Sequence, residues 1–178
     1  MKYLGVVFSS GTKFSFNVHL AKQKFFRFVN AIFGKIGTQR NSGVVLSLIN
    51  SFCIPVLLYG LEAFCLKQSN VNKINSLLNT VYSKVFNVRD NQTILECQFY
   101  SGQLLLSYIL DLKTLNFHKS LITVPNSLSY LVNKLTVSDD ISKICLRYDI
   151  VDCNAFMKIS HSSRKQSLFA VFESRLFK

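Results

Sequence analysis

The stretch from Val44 to Leu66, VVLSLINSFCIPVLLYGLEAFCL, constrains the fold most, because 17 of its 23 residues are apolar. A helix that is greasy on nearly all faces is either the central strut of a bundle or a membrane span. Asn50, Ser51 and Glu62 interrupt the run, and Pro55 lacks a backbone donor and sets its ring against the Ser51 carbonyl. We therefore expect two shorter helices of about three turns each, broken at Pro55 and packed in a protein core. The alternative is a bilayer span, in which the proline is tolerated but Glu62 is expensive. Cys53 and Cys65 fall in this stretch, where a thiol behaves as a small hydrophobe. The five cysteines show no zinc-type spacing. Together with the short apolar run before Ser9-Ser10-Gly11, too brief for a secretory signal, they lead us to expect an intracellular protein, in nucleus or cytoplasm.

Charge is distributed unevenly around this stretch. The 178 residues carry 21 Lys and Arg against 9 Asp and Glu, a net charge of +12. From Met1 to Arg89 there are 11 basic residues and 1 acidic, whereas Asp90 to Lys178 holds 10 and 8. The first half is thus built for an anionic partner, nucleic acid or anionic lipid, unless it is simply a soluble basic surface.

The pattern before Val44 begins with KYLGVVF, Lys2 to Phe8, a run of β-branched and aromatic residues that reads as one strand ending at Ser9-Ser10-Gly11-Thr12. Lys13 to Phe16 reads as its return, giving an N-terminal β-hairpin over 1–16. A helical period follows from Asn17 or Val18 to Ile36. Val18, Ala21, Phe25, Phe28, Val29, Ile32, Phe33 and Ile36 share an apolar arc, and Lys22 falls inside it. Opposite lie Lys24, Arg27 and Lys35, extended by Arg40 after the Gly37-Thr38 break. A solvated helix face is ordinarily charged, but on this one every charge is positive.

Asn41 or Ser42 is placed to cap the apolar stretch. With its second half, CIPVLLYGLEA, the succession KYLGVVF, Phe14 to His19, and a basic amphipathic helix ending near NAIFGKIG resembles the C-terminal part of a non-LTR (LINE-type) retrotransposon reverse transcriptase. The stretch from Ile94 to Leu121 is similar to the same family. The resemblance implies that the hairpin corresponds to the palm end, with Lys2, Tyr3, Leu4 and Gly5 as the primer-grip strand. The helices from Asn17 onward would then be a thumb lying along template and primer, with Lys24, Arg27, Lys35 and Arg40 toward RNA or DNA phosphates. Tyr59 and Gly60 match the family pattern and are expected to be structural.

The departures bear on catalysis. Polymerisation needs two metal ions held by carboxylates, which the family places in a Tyr-x-Asp-Asp turn upstream of the YLG strand. Asp139 and Asp140 lack the preceding tyrosine and sit at a helix start, where capping explains them. His19, His118 and His161 each stand alone in the sequence. We therefore expect no catalytic residue, metal or cofactor, a chain cut from a longer element, and activity only with a catalytic reverse transcriptase part acting in trans.

Downstream, Ser69 or Asn70 is placed to cap a helix burying Val71, Ile74, Leu77, Leu78, Val81, Tyr82, Val85 and Phe86, with Lys73 and Lys84 opposite. A short helix, a break at Gly102 and a helix from Leu104 to Ser120 come next, with acids and bases alternating as on a solvated surface. A short helix through Leu128 to Leu135 and another after Ser138, burying Ile141, Ile144, Cys145 and Tyr148, are expected beyond. Ser160 to Ser163 reads as a loop and Leu168 to Phe177 as a terminal helix. The expectation is thus a mainly α fold in three segments: the hairpin (1–16), a thumb-like helical bundle (17–121) and a helical extension (122–178). Its capacity would be sequence-independent nucleic-acid binding. A membrane-associated helical protein or a non-functional element remnant are the alternatives.

Overall fold

The computed structural model describes residues 2–3, 6–9, 15–16, 18–37, 41–63, 66, 68–123 and 138–177. The described chain is mainly helical and divides into two compact units, Met1–Ser107 and Tyr108–Lys178. That division falls inside a helix that the sequence places in the middle segment, 17–121.

Three short strands open the first unit: β1 (Lys2–Tyr3), β2 (Val6–Ser9) and β3 (Ser15–Phe16), antiparallel in that order. The expected N-terminal hairpin does not occur in its expected form. Lys2 and Tyr3 pair with Val7 and Val6, so the run Lys2 to Phe8 is two strands and not one. Of the expected turn, Ser9 to Thr12, Ser9 belongs to β2, and 10–12 lie outside the described residues.

Helix α1 (Val18–Ile36) has the expected bounds. Phe25 and Val29, at the centre of the apolar arc, are buried, whereas Phe28 at its edge is 45% exposed. The helix stops at Gly37, whose φ of 84° lets its N–H return to the Phe33 carbonyl at 2.9 Å.

The apolar stretch departs from expectation at its proline. Asn41 caps α2 (Ser42–Leu48), its side chain accepting from the Val44 N–H, as the sequence anticipates. Beyond Leu48 the chain does not break. It widens into a π turn (Ile49–Cys53), then tightens into α3 (Ile54–Leu57) with Pro55 in its first turn. The Ile54 N–H reaches back five residues to the Ile49 carbonyl. A regular α-helix would drive the proline ring into the carbonyl four residues before it; one widened turn takes up that conflict without ending the helix. The reversal comes later, at Gly60 with φ 73°, and a short 3-10 turn (Leu61–Ala63) follows.

Nor is the stretch buried all round. Val45, Ile49, Cys53, Leu57, Leu58 and Leu61 are in the core, but Val44, Phe52, Val56 and Tyr59 are exposed. Burial pushes the Cys53 thiol up to about 11. Against α1 and this segment packs α4 (Gln68–Phe86), which begins at Gln68, a residue ahead of the expected caps. It buries Val71, Ile74, Leu77, Leu78, Val81, Tyr82 and Val85 as its periodicity predicts, with only Phe86 left in the open.

Asn87 at φ 55° ends α4, and the Val88 N–H bonds the Ser83 carbonyl, with asparagine tolerating the left-handed geometry. Asp90 then caps α5 (Asn91–Tyr100), accepting from the Thr93 N–H at 2.8 Å. Those bonds to the carboxylate hold Asp90 below its ordinary pKa. Gly102 at φ 71° closes α5, and α6 (Leu106–Thr123) begins. The start of α6 is tied to α4: Asn75 accepts from the Ser107 N–H at 2.9 Å and donates to its hydroxyl at 3.2 Å. That side chain satisfies one of the amide groups every helix start leaves unpaired.

In the second unit, the rest of α6 accompanies α7 (Ser138–Arg147), α8 (Cys153–Lys158) and α9 (His161–Leu176). The core includes Leu112, Leu115, Ile144, Cys145, Tyr148, Phe156, Leu168 and Phe172. Tyr108 meets Tyr148 and Phe172 edge-on, with ring centroids 4.8 and 5.8 Å apart. Two expectations are corrected here. Ser160 to Ser163 is not a loop: Ser160 accepts from the Ser163 N–H at 3.1 Å and caps α9, which starts at His161. Asp111, assigned above to a solvated surface, is buried. The expected helix through 128–135 lies outside the described residues.

Candidate nucleic-acid interface

The basic residues singled out on α1 share one side of one helix. Lys24, Arg27 and Lys35 are all exposed, and α1 contains no acidic residue. At about 100° per residue, Lys24, Lys35 and Phe28 lie within about 40° of each other, with Arg27 about 60° to the other side of Lys24. Phe28 therefore stands among the cations and not in the core, a placement that the apolar-arc reading missed because 28 is the arc's outermost position. Lys22, which falls inside the arc, is exposed, and its ammonium lies 6.0 Å from the Phe26 ring centroid. Stem and charge are thus accommodated separately.

The structure does not bring every candidate together. Arg40, Leu4 and Gly5 lie outside the described residues. Lys2 and Tyr3 are placed on β1 by their backbone.

A second group of charges, in the other unit, was not foreseen. Asp111 on α6 accepts at 2.7 Å from both the Tyr148 hydroxyl and the Arg147 guanidinium. Burial, the largest influence, raises the Asp111 pKa, while Tyr148 and Arg147 oppose the rise. Arg147 is 41% exposed on its side chain, so water weakens its hold on the carboxylate. Tyr148 is pushed far upward by burial and by the neighbouring carboxylate. Arg175 completes the group, donating to the Arg147 carbonyl and lying 5.9 Å from the centroid of the Tyr148 ring. The partners stand 36 and 37 residues apart in sequence, which no local pattern reveals. The contacts of Asp111 tie α6 to the end of α7, and Arg175 also reaches the Tyr108 hydroxyl and the Asp149 carboxylate.

Arg164 was also unmarked in the sequence. It is 2% exposed and donates to the Asn116 side chain at 2.7 Å. Its Nε and Nη1 have no hydrogen-bond partner among the described residues, and burial lowers its pKa. Cys145 is pushed up to about 12, first by burial and then by its hydrogen bond with Cys153; the eight-residue spacing of this pair carried no zinc-type signal. Among the described residues, no three His, Cys, Asp or Glu side chains are grouped to hold a metal ion, and no helix is long and apolar enough to cross a membrane. The arrangement on α1 is thus three exposed cations on one side of a helix whose sequence carries no carboxylate.

No protein-family model, curated protein or solved structure matches this chain.

Proposed function

We propose that the chain binds nucleic acid through the phosphate backbone, using Lys24, Arg27 and Lys35 on α1. The observation that carries this reading is an exposed helix face bearing three cations on a helix with no acidic residue. Phosphate contacts of this kind position a strand without reading its bases. The resemblance to a retrotransposon reverse-transcriptase thumb supports the same reading, with template and primer as the nucleic acid.

Fluorescence anisotropy with a duplex of arbitrary sequence, titrated across salt, tests the proposal. Three phosphate contacts give a slope of log affinity against log salt of about −3. Replacing Lys24 and Arg27 with glutamine should flatten it by about two units and weaken unrelated sequences alike. Replacing Lys73 and Lys84, both exposed on α4, is the charge-matched control and should leave it nearly unchanged. Equal loss in both pairs reduces the effect to net charge and sinks the proposal.

A further inference from the structure

The exposed aromatic among the cations of α1 has no role in contacting phosphates. Burying a phenylalanine ring is favourable by a few kcal/mol, yet Phe28 is 45% exposed on a helix that buries Phe25 and Val29 close by in sequence on either side. On the wheel it lies between the exposed apolar edge and the line joining Lys24 to Lys35, which are separated by about 17 Å along the axis.

From this we infer that the outer face of α1 takes an unpaired strand of nucleic acid, with Phe28 as a platform on which a base stacks while Lys24, Arg27 and Lys35 hold the flanking phosphates. The inference rests on the phosphate-binding reading and narrows its ligand. Charge complementarity supplies the occupant: the face presents positive charge only, so a polyanion is favoured over a protein surface of mixed charge. Phe28 supplies the distinction between strands. In a duplex the faces of the bases are covered by their neighbours, and a ring on a helix surface reaches only backbone and groove edges. In a single strand the faces are open, and interleaved cations and aromatic rings are the arrangement that binds them without sequence preference. RNA and DNA share this chemistry, so oligouridine and oligothymidine serve as parallel arms of the test.

The chain contains no tryptophan, so Phe28→Trp introduces one reporter at the position in question. Its emission should be quenched when either single strand is titrated into the 178-residue chain, and much less by a duplex at equal saturation. Phe28→Leu keeps an apolar side chain of similar bulk but removes the π face. It should weaken single-strand binding about five-fold or more, leave the single-strand salt slope near −2 and leave duplex binding unchanged. Circular dichroism melting confirms that each variant is folded. If Phe28→Leu fails to fold, the quenching of Phe28→Trp decides alone. Undisturbed emission from the Phe28→Trp protein, or equal loss of single-strand and duplex affinity in Phe28→Leu, overturns the stacking inference. Should the Lys24 and Arg27 replacements still flatten the slope in that case, phosphate binding stands without a platform. Should they leave it unchanged, both readings fall.

Discussion

At the scale of single residues, environment separates side chains that the sequence treats alike. Asp90 and Asp111 are both carboxylates without a marked role in the linear pattern, yet one is an exposed cap held below its ordinary pKa and the other a buried acceptor raised above it. The raised value means that the folded chain holds its Asp111 proton more tightly than the unfolded chain does. Its contribution to stability is therefore fully present below the unfolded pKa and declines as pH rises through the folded one. Asp111→Asn should remove this slope just above the ordinary carboxylate range while keeping an acceptor for Tyr148. Because burial outweighs Tyr148 and Arg147 at this carboxylate, loss of the charge should lower stability at neutral pH by no more than about 1 kcal/mol. Urea unfolding at a series of pH values measures both, and an unchanged slope would place the titration elsewhere. The alternation of acids and bases around Asp111 pointed to solvent because that cue is local, whereas the burial is set by Tyr148 and Arg147 from a part of the chain distant in sequence.

At the scale of elements, periodicity was legible wherever one face of a helix is covered. The bounds of α1 and the buried face of α4 follow from a repeat of 3.6 residues alone, since burial there depends on the angle around one axis. Two devices were not legible by that route. A proline marks conflict with the preceding turn but does not say how the conflict is resolved; here a π turn absorbs it, and the reversal waits for Gly60. A serine run likewise reads as loop until one hydroxyl is seen to cap, as Ser160 does for α9. The start of α6 adds a third device, a helix start satisfied from another helix. Asn75→Ala removes the acceptor for the Ser107 amide and the donor to its hydroxyl, and should destabilise the chain by about 1–3 kcal/mol. Asn75→Asp, which keeps only the acceptor, should recover part of this in chemical denaturation; no loss from either replacement would show that water serves Ser107 equally well.

For the whole molecule, the mainly helical class was readable from the sequence. The two compact units meet inside α6, after Ser107, because compactness depends on which residues meet in space and not on where helices stop. Of the proposed site, Lys24, Arg27 and Lys35 are exposed as their helical spacing anticipates, whereas Phe28, assigned to the core, is 45% exposed. The Asn75–Ser107 tie also has a consequence for the order of assembly. During synthesis Asn75 emerges before Ser107, so the acceptor that starts α6 is in place before the helix exists. A chain begun at Tyr108 has the body of α6 without that start. Expressed separately, residues 108–178 should show less helix by circular dichroism than their share of the intact chain. The second unit would then inherit its first helix from the part of the chain made before it.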